Sequence, residues 1–268
     1  MTESSESEKV LFSQEGGVAT ITLNRPAQLN ALDLPTLRQL QRSVVRAASD
    51  ETVRCVVLTG GGRGFCAGAD VKEWAAGDPS TNRDESPEDW TTIAHRIVAT
   101  LYRLPKPVVA AVNGVAVGAG FDLSLVADFR IAVDTARFGA VYVRIGIPPD
   151  VGASFLLPRI VGSTKAKELI YTGRIIDAEE ALRIGVVSEV VPGDGLMDAA
   201  GRWASELASG PTIAIGLAKE SIQEHLPMSI ESALRNEHRA SQLCMETADH
   251  REGLEAVNAK RQPEFQGR

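Results

Sequence analysis

The chain has 268 residues, 44% hydrophobic and 24% charged, enough for one large domain or one domain with an appended segment. Its net charge of −7 and pI near 5.3 argue against the broad basic surface that nucleic acids demand, while leaving room for an anionic ligand held by a local cation and backbone N–H groups. Three cysteines, Cys55, Cys66 and Cys244, form no CxxC pair, and no run approaches the roughly 20 apolar residues of a membrane span, so a cytoplasmic protein without disulfides, membrane partner or nucleic-acid partner is expected.

Residues 1–8, "MTESSESE", are polar and acidic and read as a disordered tail. "VATITLN" (18–24) alternates as a half-buried strand does, and "NRPAQLNALD" turns it into a helix over 34–49. "VRCVVLTG" (53–60) is a second strand that runs into the glycine-rich "GGGRGFCAGAD". Residues 75–92, with two prolines and five acids, read as a mobile loop beside the site. "PVVAAVNGVAVGAG" (107–120) holds a third strand and leads into the helical run "FDLSLVAD", after which "FRIAVDTARFG" gives short strands and a turn. From 196 to 262 the pattern is helical. Strands interspersed with helices predict an α/β fold, with a core over 9–195 and a helical region over 196–268.

Two small-residue loops each stand between a strand and a helix. "GRGFCA" (62–67) satisfies GxGxxA, but no helix opens within it, and the first acids downstream, Asp84 and Glu85, lie in the polar loop. Both points count against a dinucleotide site. The second loop, "NGVAVGAGFD" (113–122), places Gly118-Ala119-Gly120 where a helix begins and its unpaired N–H groups point outward. Either loop alone is explained by close packing; together, one N–H from each would make an oxyanion hole.

Asp122 falls near the start of that helix, where an acid is favourable for stability alone. Asp150 follows two prolines in "AVYVRIGIPPDVG" (140–152) and reads equally as an N-cap of the next helix or as a catalytic acid. No GxSxG occurs, and Cys66 has no base in view and reads as a small buried thiol. His95, His225, His238 and His250 lack metal-ligand spacing, so they read as surface or packing residues and no metal is expected.

The motifs "ITLNRPAQLNAL", "VVLTGGGRGFCAGADVKEW", "KPVVAAVNGVAVGAGFDLSLVADFRIA", "RIGIPPDVGASFLLPRIVG", "ELIYTGRIIDAEEALRIGVVSEVV" and "EGLEAVNAKRQPEF" stand in this order along the chain. In that order they resemble the crotonase (enoyl-CoA hydratase/isomerase) superfamily over nearly its full length. The resemblance implies a ββα spiral core with a C-terminal helical trimerisation region, assembled as a homotrimer or a dimer of trimers. It implies acyl-CoA thioester substrates, as in fatty acid metabolism, and no prosthetic group, since coenzyme A arrives on the substrate. It implies Ala67 and Ala119 as oxyanion donors. Ala67, Gly68, Ala69 and Asp70 would line the adenine end of coenzyme A, with Arg25 and Lys260 as phosphate partners.

Hydratases of the superfamily use two glutamates, at positions that here are Asp122 and Tyr142. A tyrosine, with a reference pKa near ~10, is neutral at pH 7 and a poor base for activating water. Asp150 stands where enoyl-CoA, dienoyl-CoA and ring epoxide isomerases carry a proton-shuttling acid, and "IGIPPDVGASFLLPRIVG" looks especially like the last group. An isomerase is therefore expected, with Asp150 moving the proton, Asp122 assisting, and Tyr142 shaping the pocket or donating a hydrogen bond. The alternatives are a hydratase (a lyase) working through Asp122, and an acyl-CoA binder without turnover. An RNA-binding role conflicts with the acidic balance.

Overall fold

The computed structural model describes residues 8–71, 89–225 and 227–268. Two sheets organise them. The first has the order β1-β2-β3-β5-β7-β10, from Val10–Glu15, Val18–Leu23, Cys55–Gly60, Val108–Val112, Phe129–Val133 and Glu189–Val191. The second has the order β4-β6-β8-β9, from Gly64–Cys66, Val115–Val117, Arg137–Gly139 and Ile176–Asp177.

Within the first sheet β3, β5 and β7 are parallel neighbours; within the second, so are β4, β6 and β8. Each pass of the chain lays one strand in each sheet before returning, so the backbone advances as a spiral of ββ units. β3 and β5 are buried along their whole length, which accounts for their unbroken apolar runs "CVVLTG" and "VVAAV".

The returning segments include α1 (Leu34–Ser49), α2 (Trp90–Arg103), α3 (Ala119–Leu125) and α4 (Ala153–Val161). α1 matches the expected 34–49 because its signals agree. Asp33 caps it, accepting from the Thr36 N–H at 2.7 Å, and Leu37, Leu40, Val44 and Ala47 form one buried face. α2 opens in the same way, with Asp89 accepting from the Thr92 N–H at 2.7 Å.

The single strand expected within 107–120 is two, β5 and β6, separated at Asn113-Gly114 so that the chain crosses from one sheet to the other. β1 was not expected, because as an edge strand with four exposed residues it lacks an apolar run. The expected tail at 1–8 lies outside the described residues except for position 8, as does most of the 75–92 loop.

Helices α5 (Ser163–Thr172) and α6 (Ala178–Arg183) precede β10. The helical region follows as α7 (Leu196–Ser209), α8 (Thr212–His225), α9 (Ile230–Met245) and α10 (Ala248–Ala259). α7 packs directly on β3, β5 and β7, burying Ala199, Ala200 and Ala204. Residues beyond α10 fold back onto the body of the protein. Asp249 accepts from the Gln266 and Gly267 N–H groups at 2.7 and 2.8 Å, while Arg54 beside β3 donates to the Phe265 carbonyl at 3.0 Å.

Candidate active site

The turn between β2 and α1 holds the first loop in place. Asn30, fully buried in left-handed backbone (φ 57°), donates through Nδ2 to the Gly61 and Gly64 carbonyls at 3.0 and 2.7 Å. Its Oδ1 accepts from the Arg25 N–H at 2.8 Å. Leu32 then grips the loop from both sides, donating to the Gly68 carbonyl (2.8 Å) and accepting from the Asp70 N–H (3.2 Å). Because those two bonds come from the residues flanking Ala69, the Ala69 N–H faces the opposite side, as in a parallel bridge.

Two expected assignments are corrected here. The Ala67 N–H is already committed, donating to the Leu29 carbonyl at 2.9 Å, so it is unavailable to a ligand oxygen. The available amide is two residues on, at Ala69, which was expected only along the adenine end. Arg25 is likewise not a free phosphate partner. Its guanidinium donates to the Ala31 carbonyl (2.6 Å) and lies 3.2 Å from Asp70 and 3.3 Å from Asp33, with only 14% of the side chain exposed. It is a clamp between the turn and the loop.

The second loop meets the first at Gly68 and Gly120. A methyl group on Gly68 (φ 88°) would stand 2.8 Å from the Val117 carbonyl oxygen and 3.3 Å from the Ala119 nitrogen. One on Gly120 would stand 2.1 Å from the Cys66 carbonyl oxygen. Glycine at both positions lets two backbones touch. Ala119 is the first residue of α3, so its N–H has no acceptor within the helix. Among the described residues, neither the Ala69 nor the Ala119 N–H donates to any acceptor. Two unspent donors from adjacent loops are the makings of an oxyanion hole.

Asp122 sits one turn into α3 and is fully buried. Tyr142, on the tight turn Val141–Ile145 that follows β8, donates its hydroxyl to Asp122 Oδ2 at 2.5 Å. Among the described residues Oδ1 has no hydrogen-bond partner. Burial pushes the Asp122 carboxyl up to about 7 against the Tyr142 hydroxyl, and the nearby Asp150 charge adds to the rise. The N–H groups of Val151 and Ala153, at the start of α4, face the carboxyl and pull the other way without closing a bond on Oδ1. Burial and the Asp122 charge hold the Tyr142 phenol far above its ordinary value, so it remains a neutral donor.

Asp150 is half-buried on the segment that leads into α4. The N-cap position of α4 is Gly152, two residues beyond Asp150. Its charge acts on both Asp122 and Tyr142, which places the three groups in one electrostatic neighbourhood. Cys66 lies behind them as the buried thiol expected, pushed up to about 12 by burial. Lys260 ends α10 in left-handed backbone (φ 52°) and is exposed.

His95 of α2, read as a surface or packing histidine, is exposed, and its Nε2 also lies 2.6 Å from the Asp150 carbonyl oxygen. Nothing in a lone histidine 55 residues upstream signals that contact. Beside it, a groove of about 340 Å³ runs between α2 and α4, lined by Val98, Tyr102, Val151, Gly152, Phe155 and Leu156 among others. Tyr102 and Phe155 meet edge to face with ring centroids 5.6 Å apart. A larger hollow of about 870 Å³, among β1, β2, α7 and residues 263–266, contains none of the candidate residues. Among the described residues no cluster of His, Cys, Asp and Glu could hold a metal, and no helix is long and apolar enough to cross a membrane.

Comparison with known proteins agrees with this architecture. The family described as Enoyl-CoA hydratase/isomerase matches residues 13–268. The 1,2-epoxyphenylacetyl-CoA isomerase of Escherichia coli is 38% identical over 97% of this chain and 99% of its own. A short-chain-enoyl-CoA hydratase of Clostridium acetobutylicum is 37% identical over 97% and 98%. Among solved structures, an enoyl-CoA hydratase from Bacillus anthracis superposes with a TM-score of 0.90 at 38% identity, covering 97% of this chain and all of that one.

Proposed function

Because the chain belongs to the enoyl-CoA hydratase/isomerase family, we propose that it is an acyl-CoA isomerase that moves a double bond along an unsaturated acyl thioester. The thioester oxygen accepts from the Ala69 and Ala119 N–H groups, which stabilise the negative charge that builds as a proton leaves the acyl chain. Asp150 takes that proton and returns it at a more distal carbon, so neither water nor a second substrate is consumed. Coenzyme A arrives on the substrate and needs no resident cofactor. The backbone of Gly68–Asp70 borders its path, Lys260 is a candidate phosphate partner, and the groove beside Gly152 receives the acyl group.

The observation that carries this reading is the Tyr142 hydroxyl on Asp122 Oδ2. Water addition needs a carboxylate free to activate water. Here one of the two positions that would supply it is a neutral phenol, and the other is a buried carboxyl with a pKa near 7. The names of similar proteins include hydratases as well as an isomerase, so the assay must separate the two. Conversion of 3-enoyl-CoA to 2-enoyl-CoA should fall by about 10²-fold or more in Asp150→Asn. Hydration of crotonyl-CoA should be slow in the wild type. Equal isomerisation by wild type and Asp150→Asn, or rapid hydration that only Asp122→Asn abolishes, would overturn the proposal.

A further inference from the structure

We propose that His95 is a positioning residue for Asp150, fixing the peptide unit that carries the shuttling acid; this rests on the isomerase reading above. His95, Val98 and Tyr102 lie on successive turns of α2 and present one face to the groove. Val98 and Tyr102 suit an apolar contact with Val151, Phe155 and Leu156. His95 itself is exposed, so burial does not account for its placement. The histidine instead puts Nε2 2.6 Å from the Asp150 carbonyl oxygen. A carbonyl oxygen can only accept, so Nε2 carries the proton and donates. That N–H is present in the neutral and the cationic ring alike, so the contact does not depend on the charge of His95.

Pro148 and Pro149, immediately before Asp150, stiffen the segment through their fixed φ but offer no backbone donor. The Asp150 carbonyl and the Val151 N–H are opposite ends of one planar peptide unit. Gripping the carbonyl therefore sets two directions together: that of the Asp150 Cα, from which the carboxylate projects, and that of the Val151 N–H, which faces Asp122. Asp150 and Asp122 are thus held in a fixed relation through the backbone that His95 grips at the rim of the groove.

The test compares His95→Leu and His95→Gln with the wild type in the 3-enoyl-CoA assay, with thermal unfolding of each. Glutamine keeps an N–H donor of similar reach; leucine keeps the bulk and loses the donor. His95→Leu should lower kcat by about tenfold or more with KM changed by no more than about twofold, because a displaced base affects the chemical step more than ground-state binding. His95→Gln should recover most of kcat, and the unfolding midpoints of all three should coincide. Wild-type kcat in His95→Leu overturns the proposal, as does an equal loss in both variants or a loss that tracks a fall in midpoint. Asp150→Asn is assayed alongside. If it is inactive while His95→Leu is not, only this inference fails; if it retains full activity, the isomerase reading fails first.

Discussion

Asp122 keeps its proton into the neutral range because burial outweighs the one hydroxyl that donates to it. The consequence for stability follows from where the proton sits in each state. In the unfolded chain the carboxyl titrates near its ordinary 3.8; in the folded chain it titrates at about 7. Below the first value both states are protonated and the shift costs nothing. As pH rises from about 4 to 7 the unfolded chain releases the proton first, so the fold loses stability across that window, by at most about 4 kcal/mol, and then levels off. Asp122→Asn keeps a neutral group in the same space. Denaturant titrations from pH 4 to 8 should show the variant gaining on the wild type as pH rises; a constant difference would contradict the buried, protonated carboxyl. At this scale the sequence supplies candidates but not their relations. Asp122 and Asp150 were readable as acids in an apolar setting, but Tyr142 on Asp122 and His95 on the Asp150 carbonyl join residues 20 and 55 positions apart. The unpaired amide of the first loop also lies two residues beyond the one expected. Sequence shows a small-residue run, whereas the pairing of Leu32 with both neighbours of Ala69 decides which amide is left over.

Elements whose local signals agree were legible, and those held by distant partners were not. α1 combines a capping aspartate with an apolar face and appears where expected; β3 and β5 declare themselves by unbroken apolar runs. β1, mostly exposed, and β9, two residues long, exist only because a neighbouring strand pairs with them. The turn "NRPAQLNAL" shows how a motif can be recognised while its work is misassigned. Its arginine was expected on a phosphate, yet it bridges Asp33, Asp70 and the Ala31 carbonyl. The two roles predict different defects in Arg25→Ala. A phosphate partner would raise KM and spare both kcat and stability. The clamp predicts a loss of about 2 kcal/mol in stability and a fall in kcat, since Asp70 loses its counter-charge, Asp33 keeps only Lys9, and the loop bearing Ala69 loses one of its tethers. Urea unfolding and steady-state kinetics of this one variant separate them.

The molecule as a whole is a spiral that lays one strand in each of two sheets per pass, and no repeat in the sequence announces it. The repetition is of topology, carried by different residues in each turn. The helical region was legible from 196 onward, though its first helix, α7, packs on the first sheet. Beyond it, Ile222 (74% exposed), Leu254 (54%) and Val257 (77%) present apolar surface on α8 and α10 that one subunit does not cover. A homotrimer, or a dimer of trimers, is the assembly proposed for it. Replacing Leu254 and Val257 together by glutamate should shift the mass measured by light scattering to that of a smaller species while leaving the circular dichroism spectrum intact. An unchanged mass would place the contact elsewhere.

The two donors proposed for the thioester oxygen belong to the main chain, and that changes how the site can be altered. Any of the usual side-chain replacements at Ala69 or Ala119, proline excepted, leaves the N–H in place, so an alanine or conservative scan would pass over the group that does most to stabilise charge. Drift at these positions is limited by bulk and by backbone angle rather than by chemistry. An alanine at 119 offers the same N–H that a glycine would. Reaching the donors requires atom-level editing, an amide-to-ester exchange that removes the hydrogen and spares the shape.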